Sequence, residues 1–294
     1  MTEPLIVVSL DGSELSEGAL PYAVALAKAT ASRLLLVTVW EGAEEALTQT
    51  FPTLAEDVFK RGEEHFESYL KDAATKVQAA GVKADAEVLT GGAAEKLLEL
   101  LQQRRPQMLA LATHGRSGLG RWVYGSVAGK LVREAEVPVL AVGPRALERA
   151  APAAIKRILV PLDGSALGER ALAPARELAE ALGAGLLLTQ VLRWAAQAFA
   201  FGVPDIDIAQ VDSQLADAAH EYLTQKAQSL TTKQKVDIVV LRGLPADALV
   251  DLVEREHIDL VVMASHTRAG IVRAVLGSVA DRVLQSNAPV LLVL

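Results

Sequence analysis

The sequence predicts an α/β protein built from two doubly wound, five-stranded parallel-sheet domains in tandem. Short apolar runs such as Leu34–Val39 and Leu260–Ala264 are rich in Val and Leu, which suits strands buried on both faces. Ala-rich stretches between these runs suit helices that pack closely on a sheet. Alternation of strands and helices implies parallel pairing through right-handed crossovers. A repeat of the whole pattern indicates two copies of one domain.

The repeat holds one register over most of the chain. Asp11 recurs as Asp163, and the same spacing relates the second predicted strands and a Gly-Ser-Val-Ala segment. Near the end the register slips by one residue. Chance similarity would not keep one register over a domain, so we infer a duplication. The matching segments are Ile6–Ser13 with Ile158–Ser165, Leu34–Val39 with Leu186–Val191, Gly125–Ala128 with Gly277–Ala280, and Pro138–Leu140 with Pro289–Leu291.

The strand pattern also locates the domain boundary. Residues 143–152 carry Gly-Pro at one end and Pro at the other, and no strand pattern between them, which is typical of a linker. We therefore predict domains at residues 1–145 and 153–294. Long polar helices are expected near residues 54–79 and 210–230. In the first copy, strands are expected near residues 5–10, 34–40, 83–89, 108–112 and 137–142.

Composition narrows the class of protein. Hydrophobic residues make up 51% of the chain, yet no stretch approaches the roughly 20 apolar residues that a membrane span needs. There is no Cys, and the five His residues show no metal-site spacing. A formal charge of −7 argues against nucleic acid as a partner. The first residues lack a signal-sequence pattern, so we expect a cytoplasmic protein.

Asp11 and Asp163 follow the first strand of each copy, where open parallel sheets bind ligands. A carboxylate at this point can accept hydrogen bonds from a nucleobase or a ribose hydroxyl. It can equally order the Asp-Gly-Ser turn or cap the following helix. The sequence leaves both interpretations open.

The segment after the fourth strand gives a stronger signal. Its glycines let the backbone approach a ligand, and Gly125-Ser126 at a helix start presents N–H groups to an anion. Arg116 adds positive charge. The segment is not a phosphate-binding P-loop, because the glycine spacing is one residue short and Leu131 replaces the magnesium-binding Ser or Thr. The histidines at 114 and 266 have no recognisable nucleophile or acidic partner, so we expect them to order the loop or to pack beneath it.

These motifs resemble the universal stress protein family over almost the whole chain. The segments that carry the resemblance are Asp-Gly-Ser after the first strand, Ala-Thr-His-Gly-Arg-Ser-Gly, Gly-Ser-Val-Ala and Val-Pro-Val-Leu. The family motif is Gly, two residues, Gly, nine residues, Gly, then Ser or Thr. The resemblance implies a tandem member with Rossmann-like, nucleotide-binding domains that hold ATP or AMP, with or without Mg²⁺.

The resemblance also assigns site residues. In the first copy it implies adenosine contacts from Asp11 and Val39 and a phosphate loop that includes Gly115, while the opening glycine of the motif is Ala112. In the second copy the opening glycine is Ala264, and Thr267 replaces the second glycine. A β-branched residue resists positive φ at roughly 1–2 kcal/mol, so the first site is expected to be the better formed. The remaining matches are Gly125, Ser126 and Val127 in the first copy and Asp163, Val191, Gly277, Ser278 and Val279 in the second.

The function implied by the resemblance is that of a nucleotide-binding regulatory module in a stress response. One alternative is a structural or interaction protein that binds no nucleotide. A slow ATPase is a further alternative, although no general base for attacking water is recognisable. The last strands of the two domains, Val137–Val142 and Val290–Leu294, could pair within one chain, and a dimer of chains is left open. The protein partner is not predicted.

Overall fold

The computed structural model describes residues 3–41, 52–113, 125–149, 154–193, 208–264 and 277–293. For residues 52–55 and 208 it describes the backbone only. The chain divides into two compact units, Met1–Leu147 and Glu148–Leu294. Each unit is an α/β domain with five parallel strands, which confirms the predicted fold class.

The first unit holds five parallel strands in the order β3-β2-β1-β4-β5. The order reverses between β1 and β4, and this reversal opens a crevice at the carboxyl ends of the strands. The strands are β1 Leu5–Ser9, β2 Arg33–Trp40, β3 Ala84–Thr90, β4 Met108–Ala112 and β5 Val139–Val142. The helices are α1 Glu14–Glu17, α2 Leu20–Thr30, α3 Pro52–Ala79, α4 Ala93–Arg104, α5 Ser126–Glu134 and α6 Pro144–Glu148.

The second unit repeats this arrangement, with strand order β8-β7-β6-β9-β10 and all pairs parallel. Its strands are β6 Arg157–Pro161, β7 Gly185–Leu192, β8 Val236–Arg242, β9 Leu260–Ala264 and β10 Val290–Val293. Its helices are α7 Leu172–Leu182, α8 Ile208–Ser229, α9 Pro245–Arg255 and α10 Ser278–Val283, and a 3₁₀ turn at Gly168–Ala171 precedes α7.

The inner strands form the core of each unit. Residues of β1, β4 and β5 in the first unit and of β6, β9 and β10 in the second are almost all buried. Ile6, Leu109 and Leu140 are 0% exposed, as are Ile158 and Leu159. The short apolar runs are therefore strands covered on both faces, as their composition predicts.

The outermost strands differ from the inner ones. In β3 only Ala84 is buried, and in β8 no residue is. Charged side chains lie along both strands: Arg33 Nη1 lies 2.6 Å from Asp85 Oδ2, and Lys235 Nζ lies 2.9 Å from Asp237 Oδ2. Each sheet therefore ends on a strand that is partly open to solvent and charged.

The helix expected after the first strand is divided in two. In the first unit α1 ends at Glu17 and α2 begins at Leu20, with Pro21 in its first turn. Pro21 has no N–H to donate to the Glu17 carbonyl, so one continuous helix cannot form. In the second unit Pro174 lies one residue later in the repeat register, in the first turn of α7, and a 3₁₀ turn precedes that helix.

The predicted linker is partly helical. Residues 144–148 form α6, Ala146 is fully buried, and its carbonyl oxygen accepts a hydrogen bond from Tyr22 Oη at 3.3 Å. Arg149 lies in the second unit, where its Nη1 donates to the Ile258 carbonyl oxygen at 3.2 Å. Apolar burial on one side and polar contacts on the other fix the described part of this segment.

In the part of the chain described here, no helix is both long and apolar enough to cross a membrane.

Candidate functional site

The first unit has a cleft at the carboxyl ends of β1 and β4, where its strand order reverses. Six of the residues implied by the family resemblance line this cleft, and its volume is about 250 Å³. Leu97 and Leu131 add apolar surface from α4 and α5. The described residues that the sequence singled out are therefore brought together from four separate segments. They are Asp11, Val39, Ala112, Gly125, Ser126 and Val127.

Asp11 orders the turn that follows β1 while it lines the cleft. Its Oδ1 accepts hydrogen bonds from Ser13 N at 2.9 Å and from Ser13 Oγ at 2.5 Å. Ser13 in turn caps α1, because its Oγ accepts from Ser16 N at 3.1 Å. Gly12 between them has φ +82°, a conformation that glycine adopts without strain. Asp11 thus has the turn-ordering role that the sequence left open, and its position at the cleft is kept by that turn.

The ends of the segment between β4 and α5 are held together. Gly125 N donates to the Thr113 carbonyl oxygen at 3.2 Å, and Thr113 N donates to the Val142 carbonyl oxygen at 3.0 Å. Thr113 is 2% exposed, so this junction is part of the core. The start of α5 is thereby fixed beside the end of β4, at the edge of the cleft.

The start of α5 can receive an anion. Gly125 is its N-cap residue, and within the described residues no side-chain cap accepts a hydrogen bond from the first N–H groups of this nine-residue helix. Such N–H groups have no partner within the helix and carry the positive end of its dipole. Ser126 and Val127 supply two of them and line the cleft. Phosphate oxygens would be suitable partners for these groups.

Gly125 and Gly277 have no evident need to be glycine within the described structure. Their φ angles are −50° and −58°, which any residue adopts. Among described atoms, a Cβ on Gly125 would meet only the Thr113 carbonyl oxygen, at 3.8 Å, and one on Gly277 would meet nothing within 4 Å. A side chain here would instead take up cleft space. The residues present are therefore compatible with a nucleotide that needs close approach of the backbone.

The second unit forms the equivalent cleft, with a volume of about 600 Å³. Asp163 repeats the turn of the first copy: its Oδ1 accepts from Ser165 N at 3.0 Å and from Ser165 Oγ at 2.6 Å. Ser165 Oγ accepts from Gly168 N at 3.0 Å, as Ser13 does from Ser16. The residues of the resemblance that line this cleft are Asp163, Val191, Ala264, Gly277, Ser278 and Val279.

Sequence reasoning missed two differences between the clefts. Ser16 lines the first cleft, whereas the second has Gly168, on which a Cβ would lie 2.6 Å from Asp163 Oδ1. Gln190 and Arg193 line the second cleft at the end of β7. The repeat register already pairs them with Thr38 and Glu41, so a comparison of the two strand ends would have found them.

Several predicted residues lie outside the described residues. Gly115 and Arg116 of the proposed phosphate loop belong to this group, as do the histidines 114 and 266 and Thr267. Their expected roles stay predictions. The described residues that line the first cleft include no Lys or Arg, so its described part offers phosphate only backbone N–H groups and the hydroxyls of Ser and Thr side chains.

A tyrosine from each long helix lies close to the turn after the first strand. Burial raises the pKa of Tyr69 to about 12, and the nearby Glu17 carboxylate adds to this effect. In the second unit, burial and a hydrogen bond to Glu169 raise the pKa of Tyr222, whose Oη donates to Glu169 Oε1 at 3.1 Å. Lys226 Nζ, 2.7 Å from Glu169 Oε2, lowers the pKa of that carboxyl. Both turns are thus tied to the long helices.

Known proteins resemble this chain in both halves. The model of the universal stress protein family matches residues 5–143 and again residues 154–293. A universal stress protein of Methanocaldococcus jannaschii is 29% identical over 147 residues, which are 47% of this chain and 80% of that protein. One from Mycobacterium tuberculosis is 32% identical over 180 residues, which are 61% of this chain and 59% of that protein.

A solved structure supports the fold over the whole length. The crystal structure of a universal stress protein from Archaeoglobus fulgidus has a TM-score of 0.71 with 20% sequence identity. The match covers 99% of this chain and 98% of that chain. At this identity the likeness concerns the fold.

Proposed function

Because the chain belongs to the universal stress protein family, whose model matches both halves, we propose that it binds adenine nucleotides, ATP or AMP. It acts as a binding and regulatory module in a stress response rather than as an enzyme. The first cleft is the better-formed site. Whether ATP or AMP is bound would bias an interaction with a protein partner, since the two nucleotides differ in charge and size at the surface of the cleft.

One observation carries this proposal: the first cleft places Asp11, Val39 and the uncapped start of α5 around one space. The apolar walls suit a base, the carboxylate suits a sugar hydroxyl or a base N–H, and the N–H groups of the helix suit phosphate. Each part of a nucleotide thus has a partner of matching chemistry.

Magnesium is proposed to enter with the phosphates of ATP. Within the described ranges, no group of three or more His, Asp or Glu side chains could hold a metal ion. Mg²⁺ commonly keeps several waters and binds through substrate phosphates, so an ATP complex can carry the ion without a dedicated protein site. AMP would need none.

The test is the nucleotide content of the purified protein. Heat or acid would release the ligand, and chromatography would identify it. We expect ATP or AMP, and calorimetric titration of the emptied protein should restore binding. A chain that is purified empty and binds neither nucleotide would contradict the proposal. It would favour the alternative of an interaction protein, and release of ADP from bound ATP would reveal a slow ATPase.

Location and assembly stay predictions. We propose a cytoplasmic protein in which the last strands of the two domains pair within the chain, with a dimer of chains as a further level. Light scattering would give the solution mass. A mass near 31.1 kDa indicates one chain, and twice that mass indicates the dimer.

A further inference from the structure

The second cleft contains a polar side chain that the first lacks, and this difference carries an inference about its ligand. Gln190 stands at the end of β7 and lines the second cleft. The first copy has Thr38 in this register; Thr38 is 1% exposed and is not among the residues that line the first cleft. Only the second cleft therefore has an amide at the strand end.

The amide oxygen of Gln190 lacks a hydrogen-bond donor among the described residues. Its Oε1 is shielded from solvent and accepts no hydrogen bond from any described residue. Its neighbour Thr189 has a partner, because Thr189 Oγ1 donates to the Val239 carbonyl oxygen at 3.0 Å. A buried acceptor without a donor is costly. This free-energy cost is relieved if the amide turns toward a donor in the cleft. The last torsion of Gln permits this rotation at little cost.

The position of the amide indicates which part of a ligand would meet it. Its Nε2 lies 3.7 Å from where a Cβ of Gly164 would be, beside the turn that Asp163 orders. Under the proposed function the base and ribose lie at this end of the cleft, next to Val191, and the phosphates lie toward Gly277. Gln190 is therefore placed for the base and not for the phosphates.

We infer that Gln190 selects the base in the second cleft by accepting a hydrogen bond from the amino group of a 6-aminopurine. This inference rests on the proposed function and names a specificity residue for one of its two sites. An amide presents an acceptor and a donor side by side. The amino group of adenine and its adjacent ring nitrogen present the complementary pair.

The donor group of the ligand can be removed while the rest of the nucleotide stays the same. Purine riboside 5′-monophosphate is AMP without the 6-amino group, so comparison of the two measures that group alone. AMP is preferred over ATP as the probe because Thr267 is expected to disturb phosphates. Gln190→Met removes the amide at nearly constant length. Gln225→Met makes the same change at an exposed site on α8 and serves as the control.

The experiment is calorimetric titration of the full chain carrying Gly125→Val, which is expected to close the first cleft. We expect AMP to bind about tenfold more tightly than purine riboside 5′-monophosphate. Adding Gln190→Met should reduce this ratio to less than about twofold, while Gln225→Met should leave it unchanged. A merely structural role of Gln190 would weaken both ligands together and keep the ratio.

Each other outcome overturns the inference in a distinguishable way. A ratio that persists in Gln190→Met would assign the amino group to another residue, and the proposed function would stand. Equal binding of the two ligands before Gln190 is changed would show that the amino group is not recognised. If the wild-type chain binds AMP but the Gly125→Val chain does not, the second cleft is no site for this ligand. If the wild-type chain binds no adenine nucleotide, the proposed function fails as well.

Discussion

At the scale of single residues, Asp11 shows why a site residue is easier to locate than to interpret. Its place after a buried strand predicts a position at the cleft, and the structure puts it there. The same carboxylate oxygen holds Ser13 N and Ser13 Oγ. An Asp-Gly-Ser sequence is consistent with both roles, because an Asx turn and a ligand contact use the same atoms.

This dual role changes the expected effect of substitution. Asp11→Asn keeps an oxygen for the Ser13 hydrogen bonds and removes the charge, so the fold should remain while ATP affinity falls about tenfold to a hundredfold. Asp11→Ala should also lose roughly 1 kcal/mol of stability with the turn. Titration calorimetry and thermal melts separate the two effects. Unchanged affinity in Asp11→Asn would remove this carboxylate from the site.

A substitution at Gly125 tests whether the backbone at the start of α5 lies against the phosphates of ATP. Gly125→Val should abolish ATP binding in the first cleft, because a side chain would occupy the space that phosphates need. The fold should survive, since the φ angle is −50° and the described surroundings are open. Circular dichroism checks folding and titration checks binding. Normal ATP binding by a folded variant would mean that the phosphate loop is misassigned.

At the scale of elements, the predicted strands and long helices agree with the structure because their signals are local. Runs of Val and Leu define β1, β2 and β4 to within one residue of the predicted ends. The division between α1 and α2 was not predicted, although Pro21 is a sufficient reason for it. The lack of a donor for Gln190 Oε1 could not be predicted, because it depends on which elements meet in space.

The contact of each long helix with the first turn predicts a dependence of stability on alkaline pH. The pKa of Tyr69 in the folded protein is about 12, above its ordinary value of 10.0. The protonated phenol is therefore favoured by folding, and its contribution is complete below pH 10 and lost as the pH rises through 12. The melting temperature should fall less steeply over this range in Tyr69→Phe than in the wild-type chain.

A matched variant exists in the other domain. Burial also raises the pKa of Tyr222, so Tyr222→Phe should flatten the same part of the stability curve. Below pH 10, Tyr222→Phe should lower the melting temperature more than Tyr69→Phe does, because Glu169 loses the hydrogen bond from Tyr222 Oη. Identical alkaline slopes in the wild-type chain and in both variants would argue against the raised pKa values.

At the scale of the whole molecule, duplication has produced two clefts with one plan and different details. The sequence predicts the weakness of the second site from Thr267, which stands where the first copy has Gly115. The described structure adds Gln190 and Arg193 on the second cleft alone. The motif residues were predictable because the repeat register marks them. The two added residues fall outside any motif, so only a residue-by-residue comparison of the two strand ends would have found them.

The asymmetry itself can be measured. Thr267→Gly should strengthen ATP binding at the second cleft about fivefold to thirtyfold and leave the first cleft unchanged, because loop strain of roughly 1–2 kcal/mol is relieved. Titration of the variant in a Gly125→Val chain isolates the second cleft. Comparable ATP density in both clefts of a wild-type crystal would contradict the expected difference.

The charged outer strands have a consequence for aggregation of the protein. A partly exposed strand can template another chain and begin a fibril, and charged side chains oppose that pairing. Asp85 and Glu87 on β3, Asp237 on β8 and Lys235 just before β8 place such charges on the outermost strands. The chain is thereby protected at the surfaces where aggregation would start.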